Sequence, residues 1–245
     1  TAAGLAVGPG LGLLDPSRDF GDVLRPFVGL AVGVILFEGG FSLQLHEVRH
    51  TARSILRLIT AGVALAWALG AAAGHWVAGL SWPVATVLGA ILVITGPTVI
   101  GPLLRQARLQ PRPASFLKWE GIINDPVGAL LAILTFEYLV HSGPGSAVWE
   151  VAGGLLLAVG VAAALGGGGG YLLARSFDRG IVPEFLKAPG LFASILLVYV
   201  LANGVQAEAG LLATTTMGLV MGNMRLASGL ELRRFKEHIV VLLIS

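Results

Sequence analysis

The polar residues of this chain fall in short clusters. Between them stand apolar runs of about 20 residues, long enough to cross a ~30 Å hydrocarbon layer at about 1.5 Å per residue. A helix on a soluble core would show a polar face every few residues, and these runs do not. They predict a partial span ending near Leu14 and full spans at 26–45, 55–77, 83–104, 116–140, 148–173 and 189–205. A shorter span follows at 210–224, and another opens near His238. The recurrence predicts an all-α, polytopic membrane bundle, not a soluble domain on a single anchor. Both ends fall inside hydrophobic sequence and residue 1 opens no signal-peptide pattern, so the natural protein is expected to continue in both directions.

Composition agrees with a lipid environment. Mean hydropathy is +0.83 and 12% of residues are charged, against about 25% in soluble proteins. Glycine, at 35 positions, lets membrane helices approach closely. The absence of cysteine excludes disulfides and thiolate metal sites. A net charge of only +2 offers no nucleic-acid partner, but the placement of the basic residues matters. They collect in alternate loops: Arg49, Arg53 and Arg57; Arg105, Arg108, Arg112 and Lys118; Arg175, Arg179 and Lys187; Arg225, Arg233, Arg234 and Lys236. The loops around Gly79, Ser142 and Ala207 have none, and Asp15, Asp19 and Asp22 offset Arg18 and Arg25. The positive-inside rule makes the basic loops cytoplasmic, in a multi-pass protein of the plasma (inner) membrane.

Three ionisable residues then remain at membrane depth: Glu38, Glu120 and Asp125. An unpaired carboxylate there costs several kcal/mol, so each needs a reason. Glu38 and Asp125 each fall about three residues, or ~4 Å, to the cytoplasmic side of their span centres, and Thr95 falls at nearly the same depth. The segment at 95–102 carries two Gly-Pro pairs, Gly96-Pro97 and Gly101-Pro102. Each proline removes a backbone donor and disfavours helix at the residue before it, which predicts a discontinuous helix with freed carbonyls. In the next span Glu120 and Asn124 share one face, with Gly121 and Asp125 one step around it. Asp125 reads as a functional carboxylate, Glu120 as a structural ion-pair partner, and Glu38 equally as a ligand or a structural group.

The Thr95-Gly96-Pro97-Thr98 segment, Glu120-Gly121-Ile122-Ile123-Asn124-Asp125-Pro126 and the upstream Leu36-Phe37-Glu38-Gly39-Gly40 together resemble the NhaP-type, electroneutral branch of the cation/proton antiporters. The resemblance covers essentially the whole chain. It implies an inverted-repeat bundle, a homodimer, and a core that moves against a scaffold. Residues 1–45 would then be scaffold and dimerisation helices, 53–140 the first half of the core, and 148–245 linker and scaffold. It further implies that Asp125 binds cation or proton, that Asn124 supports it, that Thr95 is a backbone-carbonyl ligand, that Glu38 is a further carboxylate, and that Glu120 pairs with an arginine on a later helix. The chain departs from the family pattern at Gly96, where relatives carry Asp, and at Gly121, where many carry Ser.

The expected function is therefore exchange of a monovalent cation, Na+ first and K+ or Li+ as alternatives, for H+, with no cofactor and no enzymatic step. A cation channel or a non-transporting membrane sensor are the rivals from other classes; a channel filter is usually a symmetric ring, which one asymmetric cluster does not make. His46, His50, His75 and His141 are expected to be solvated. The glycine run at 166–170 is expected to serve close packing more than hinging, and Trp76, Trp82 and Trp149 to form an aromatic belt.

Overall fold

A computed structural model describes residues 12, 20–48, 52–94, 107, 111–141 and 147–224. The described residues contain helices and no strand. With no water in the hydrocarbon, a spanning segment must meet its backbone hydrogen bonds within itself, which the helix does. The α-helices are α1 (Leu24–Ser42), α2 (Ala52–Arg57), α3 (Val63–Trp76), α4 (Trp82–Leu92), α5 (Pro111–His141), α6 (Ala147–Val161), α7 (Gly168–Asp178), α8 (Glu184–Val205) and α9 (Ala209–Asn223). A π-turn at Leu58–Gly62 joins α2 to α3, and another at Ala162–Gly167 joins α6 to α7. Gly21–Ser42, Ala52–Trp76, Pro113–Val140, Trp149–Asp178 and Glu184–Val205 are each long and apolar enough to cross a membrane.

The helix starts and stops refine the predicted spans. In the described part of the crossing expected at 83–104, the helix runs from Trp82 to Leu92, where the Val93 and Ile94 N–H groups turn back onto the Ala90 and Ile91 carbonyls. At 11 residues, α4 covers about half of a ~30 Å core. The predicted break at 95–102 lies outside the described residues. The span expected from 189 begins at Glu184 and carries Pro189 inside the helix. Lys118, assigned from sequence to a basic loop, lies within α5, whose 31 residues reach about 46 Å.

Helix α9 sits at the centre of the bundle. Its buried residues include Leu211, Leu212, Thr214, Thr215, Met217 and Met221, so it has no lipid-facing stripe. Glycines permit this crowding. An added Cβ at Gly218 would overlap the Phe37 carbonyl oxygen of α1, one at Gly222 the Phe41 oxygen, and one at Gly40 the Thr215 oxygen. On the other flank, Gly166 meets the Ala213 backbone and Gly170 the Met217 backbone, as expected of packing glycines. The Thr214, Thr215 and Thr216 hydroxyls donate to Leu211 or Leu212 carbonyls, which removes their polarity from the core. Two helices away, α3 and α4 interlock through Gly70 and Gly89, the latter against Trp67 and Ala71 backbone atoms.

Trp76, Trp82 and Trp149 are exposed, as a belt requires. His75 departs from the expectation of a solvated ring. It stacks on Trp82 with centroids 4.2 Å apart, and its Nδ1 lies 2.7 Å from the Leu80 carbonyl oxygen, closing the α3–α4 turn. A sequence reading places His75 near the boundary, but only the return of α4 brings Trp82 over it.

Candidate functional site

Helix α5 carries the polar set. Residues 120 and 124 are one turn apart, and the Asn124 Nδ2 donates to Glu120 Oε1 at 2.9 Å. That bond orients the amide and turns the other end, Oδ1, elsewhere. Asn124 is 5% exposed, and its Oδ1 is buried with no hydrogen-bond partner among the described residues. A buried acceptor left open costs about 1–3 kcal/mol, a cost that a cation or water would remove. Asp125 follows, half-buried. Pro126, fully buried inside the same helix, has no N–H and so deprives the Ile122 carbonyl of its usual donor. One turn of α5 thus gathers a carboxylate, an amide oxygen and a weakened backbone acceptor.

Glu38 reaches this layer from α1. An added Cβ at Gly39 would lie 3.3 Å from the Ile122 side chain, and Lys118 Nζ donates to the Ser42 carbonyl at 2.6 Å. Two such contacts fix an antiparallel register for α1 and α5. It sets Glu38 about level with Ile123, two residues or ~3 Å along the axis from Asp125. The third element arrives at Ile94: an added Cβ at Gly128, one turn beyond Asp125, would lie 2.7 Å from the Ile94 side chain and 3.4 Å from its backbone nitrogen. Ile94 directly precedes Thr95. Thr95 itself, with Gly96, Pro97, Gly101 and Pro102, lies outside the described residues.

The cluster offers only oxygen ligands, the donor type suited to hard alkali cations. Among the described residues, no group of three or more His, Cys, Asp or Glu could hold a metal ion. Asn223 escapes the sequence reading, which takes Lys118 as a loop residue and not as a cap. Asn223, in the last turn of α9, donates from Nδ2 to the Leu43 carbonyl at 2.8 Å and accepts from the Leu45 N–H at 2.7 Å, so it caps the end of α1. Lys118, as a donor only, caps the Ser42 carbonyl. The available signal was a lone Asn or Lys near the end of an apolar run, where an orphan helix carbonyl needs a donor.

Membrane-length apolar helices, a proline-marked carboxylate turn and glycine-locked neighbours define a polytopic, helical membrane protein. Residues 1–244 match the sodium/hydrogen exchanger transmembrane family, and the chain belongs to that family. The K(+)/H(+) antiporter NhaP of Alkalimonas amylolytica is 29% identical over 240 residues, covering 93% of this chain and 41% of the relative. The K(+)/H(+) antiporter NhaP2 of Shewanella sp. (strain ANA-3) is 26% identical over 194 residues, covering 79% and 34% respectively. The Na(+)/H(+) antiporter ApNhaP of Aphanothece halophytica is 25% identical over 206 residues, covering 81% and 38%. The structure of the sodium proton antiporter MjNhaP1 from Methanocaldococcus jannaschii at pH 8 superposes with a TM-score of 0.72 at 23% identity. It covers 99% of this chain and 60% of that one, and it shows the same fold. The chain thus spans about 34–41% of the length of these curated relatives.

Proposed function

We propose that the full-length protein exchanges a monovalent cation for H+ across a membrane, with the two competing for Asp125, in the service of ion and pH homeostasis. The observation that carries this reading is the turn of α5 where the Glu120-held Asn124 leaves its Oδ1 open beside Asp125. A proton or a cation neutralises the carboxylate, and each excludes the other. Carrying the bare charge through an apolar boundary costs several kcal/mol, so the site crosses only when occupied. With Asn in place of a second acid at 124, one proton exchanges for one cation and the cycle is electroneutral. Glu38 and the Thr95 carbonyl complete the ligand set, Glu120 acts through Asn124, and no cofactor takes part. Oxygen ligands fit Na+ and K+ alike, and the names of the two K(+)/H(+) relatives set K+ beside Na+ as substrate.

In this reading residues 53–140 are the first half of a moving core, 1–45 are scaffold and dimer-forming helices, and 148–245 are linker and scaffold. The contacts support that division. Within the group α1, α7, α8 and α9, and again within α3 and α4, glycines abut partner backbone, which cannot yield. Between α5 and its neighbours α1 and α6, Gly39 meets the Ile122 side chain and Gly154 the Leu134 side chain, which can rotate aside. The basic loops face the cytoplasm of a plasma-membrane homodimer.

The test is proton efflux from vesicles holding the full-length protein, driven by added Na+ or K+. Asp125→Asn should abolish it with either ion; exchange at the wild-type rate would end the proposal. At saturating ions the wild-type rate should not change with clamped membrane voltage, and a voltage-dependent rate would refute the one-for-one stoichiometry.

A further inference from the structure

We infer that Lys118 is a positioning residue, a polar latch that ties α5 to the end of α1 in one of the two orientations the exchanger must adopt. The inference rests on the exchange reading, because a site served from both sides requires the helix carrying Asp125 to move against its neighbours. Lys118 lies on α5 only seven positions before Asp125, and its ammonium reaches across to α1, where Nζ donates to the Ser42 carbonyl at 2.6 Å. That carbonyl belongs to the last turn of α1 and has no helical partner of its own. Asn223 of α9 caps the adjoining Leu43 carbonyl and Leu45 N–H. The end of α1 is therefore held by polar bonds from α9 on one side and from Lys118 of α5 on the other, where the remaining contacts with α5 are apolar side chains.

The surroundings make the bond count. Leu43 of the α1 exit packs with Ile55, Trp119 and Ile122 in a small apolar cluster, joined by Leu219 of α9. Beside this cluster the half-buried, charge-assisted bond is partly screened from water and worth more than at a fully exposed surface. It cannot survive sliding: a shift of one helical turn, about 5.4 Å, takes the ammonium out of reach of the oxygen. The glycine-to-side-chain contacts at Gly39 and Gly154 permit such a slide, and the latch opposes it. Lys118 thus biases the equilibrium between orientations without touching the ion.

Distance measurement between spin labels tests this in the full-length protein, freed of other cysteines and placed in lipid nanodiscs. Labels at Leu45→Cys and Leu117→Cys occupy exposed positions on either side of the boundary. Lys118→Met should lower the ratio of the population matching this structure to the other by about ten-fold or more, as expected for loss of a hydrogen bond to a charged group. Lys118→Arg should restore most of it. Lys118→Gln, neutral but still polar, serves if the Met variant does not fold, and should fall between the two. An unchanged distance distribution in both neutral variants, or a single population throughout, overturns the latch. The readout needs no transport: distances that respond in a protein without exchange activity sink the exchange reading and leave the boundary contact standing, whereas exchange with unresponsive distances sinks the latch alone.

Discussion

Gly218→Ala adds one methyl group to α9, and the structure gives it no room. The new Cβ would stand 2.8 Å from the Phe41 nitrogen and 2.9 Å from the Phe37 carbonyl carbon, and it would overlap the Phe37 oxygen. All three belong to the backbone of α1, so no rotamer change relieves the clash. Ordinary contact begins at 3.4 Å, and α1 and α9 must therefore part by about 1 Å or more, loosening the contacts at Gly40 and Gly222 as well. Overpacking of this kind costs about 1–3 kcal/mol, and the unyielding backbone argues for the upper part of that range. Ala gains about 1 kcal/mol of helix propensity over Gly, which offsets part of it. A net loss of about 2 kcal/mol should lower the unfolding midpoint by roughly 4–8 °C. The assay is thermal unfolding in nanodiscs, with Gly160→Ala as control. That glycine also lies in a helix, and an added Cβ there meets nothing within 4 Å, so the control should be neutral or slightly stabilised. If the two variants unfold at the same temperature, the backbone-to-backbone packing of α1 on α9 is wrong.

Two further outcomes follow from other parts of the molecule. Glu120→Ala removes the acceptor that holds Asn124 Nδ2 and frees the amide to turn; apparent cation affinity should drop about ten-fold, the equivalent of one hydrogen bond, while the maximal rate changes less, and an unchanged affinity would dismiss the orienting role of Glu120. Glu208, in the turn before α9, has its carboxyl pushed above its ordinary value by burial. The folded state therefore holds its proton more tightly than the unfolded one. The stability contributed is complete below the unfolded value of about 4.3 and is lost as pH rises through the raised native value. Glu208→Gln should flatten the stability profile from about pH 4 upward and unfold later than wild type at neutral pH; parallel profiles would rule this out.

Much of the architecture was open to a reader of the chain alone, because lipid imposes one-dimensional rules. A segment without water must be helical and about 20 residues long, and a carboxylate within it must be neutralised or paired, so the spans and the candidates Glu38, Glu120 and Asp125 stand out by transfer energy. The Glu120–Asn124 bond follows from 3.6-residue periodicity, which acts over one turn. The same rules are blind to partners. Nothing in its own composition separates α9 from a lipid-facing helix; it is central because Gly218 and Gly222 meet α1, and Gly166 and Gly170 of its other neighbours meet α9. The bond from Asn223 to the Leu43 carbonyl joins residues 180 positions apart, and the one from Lys118 to Ser42 joins residues 76 apart. Periodicity and hydropathy record what surrounds a segment on average, whereas a helix end is capped by whichever distant side chain the packing delivers. For that reason the membrane class and the acidic turn were legible, and the central helix, the capped exit of α1 and the stacked His75 emerged only when the helices were assembled.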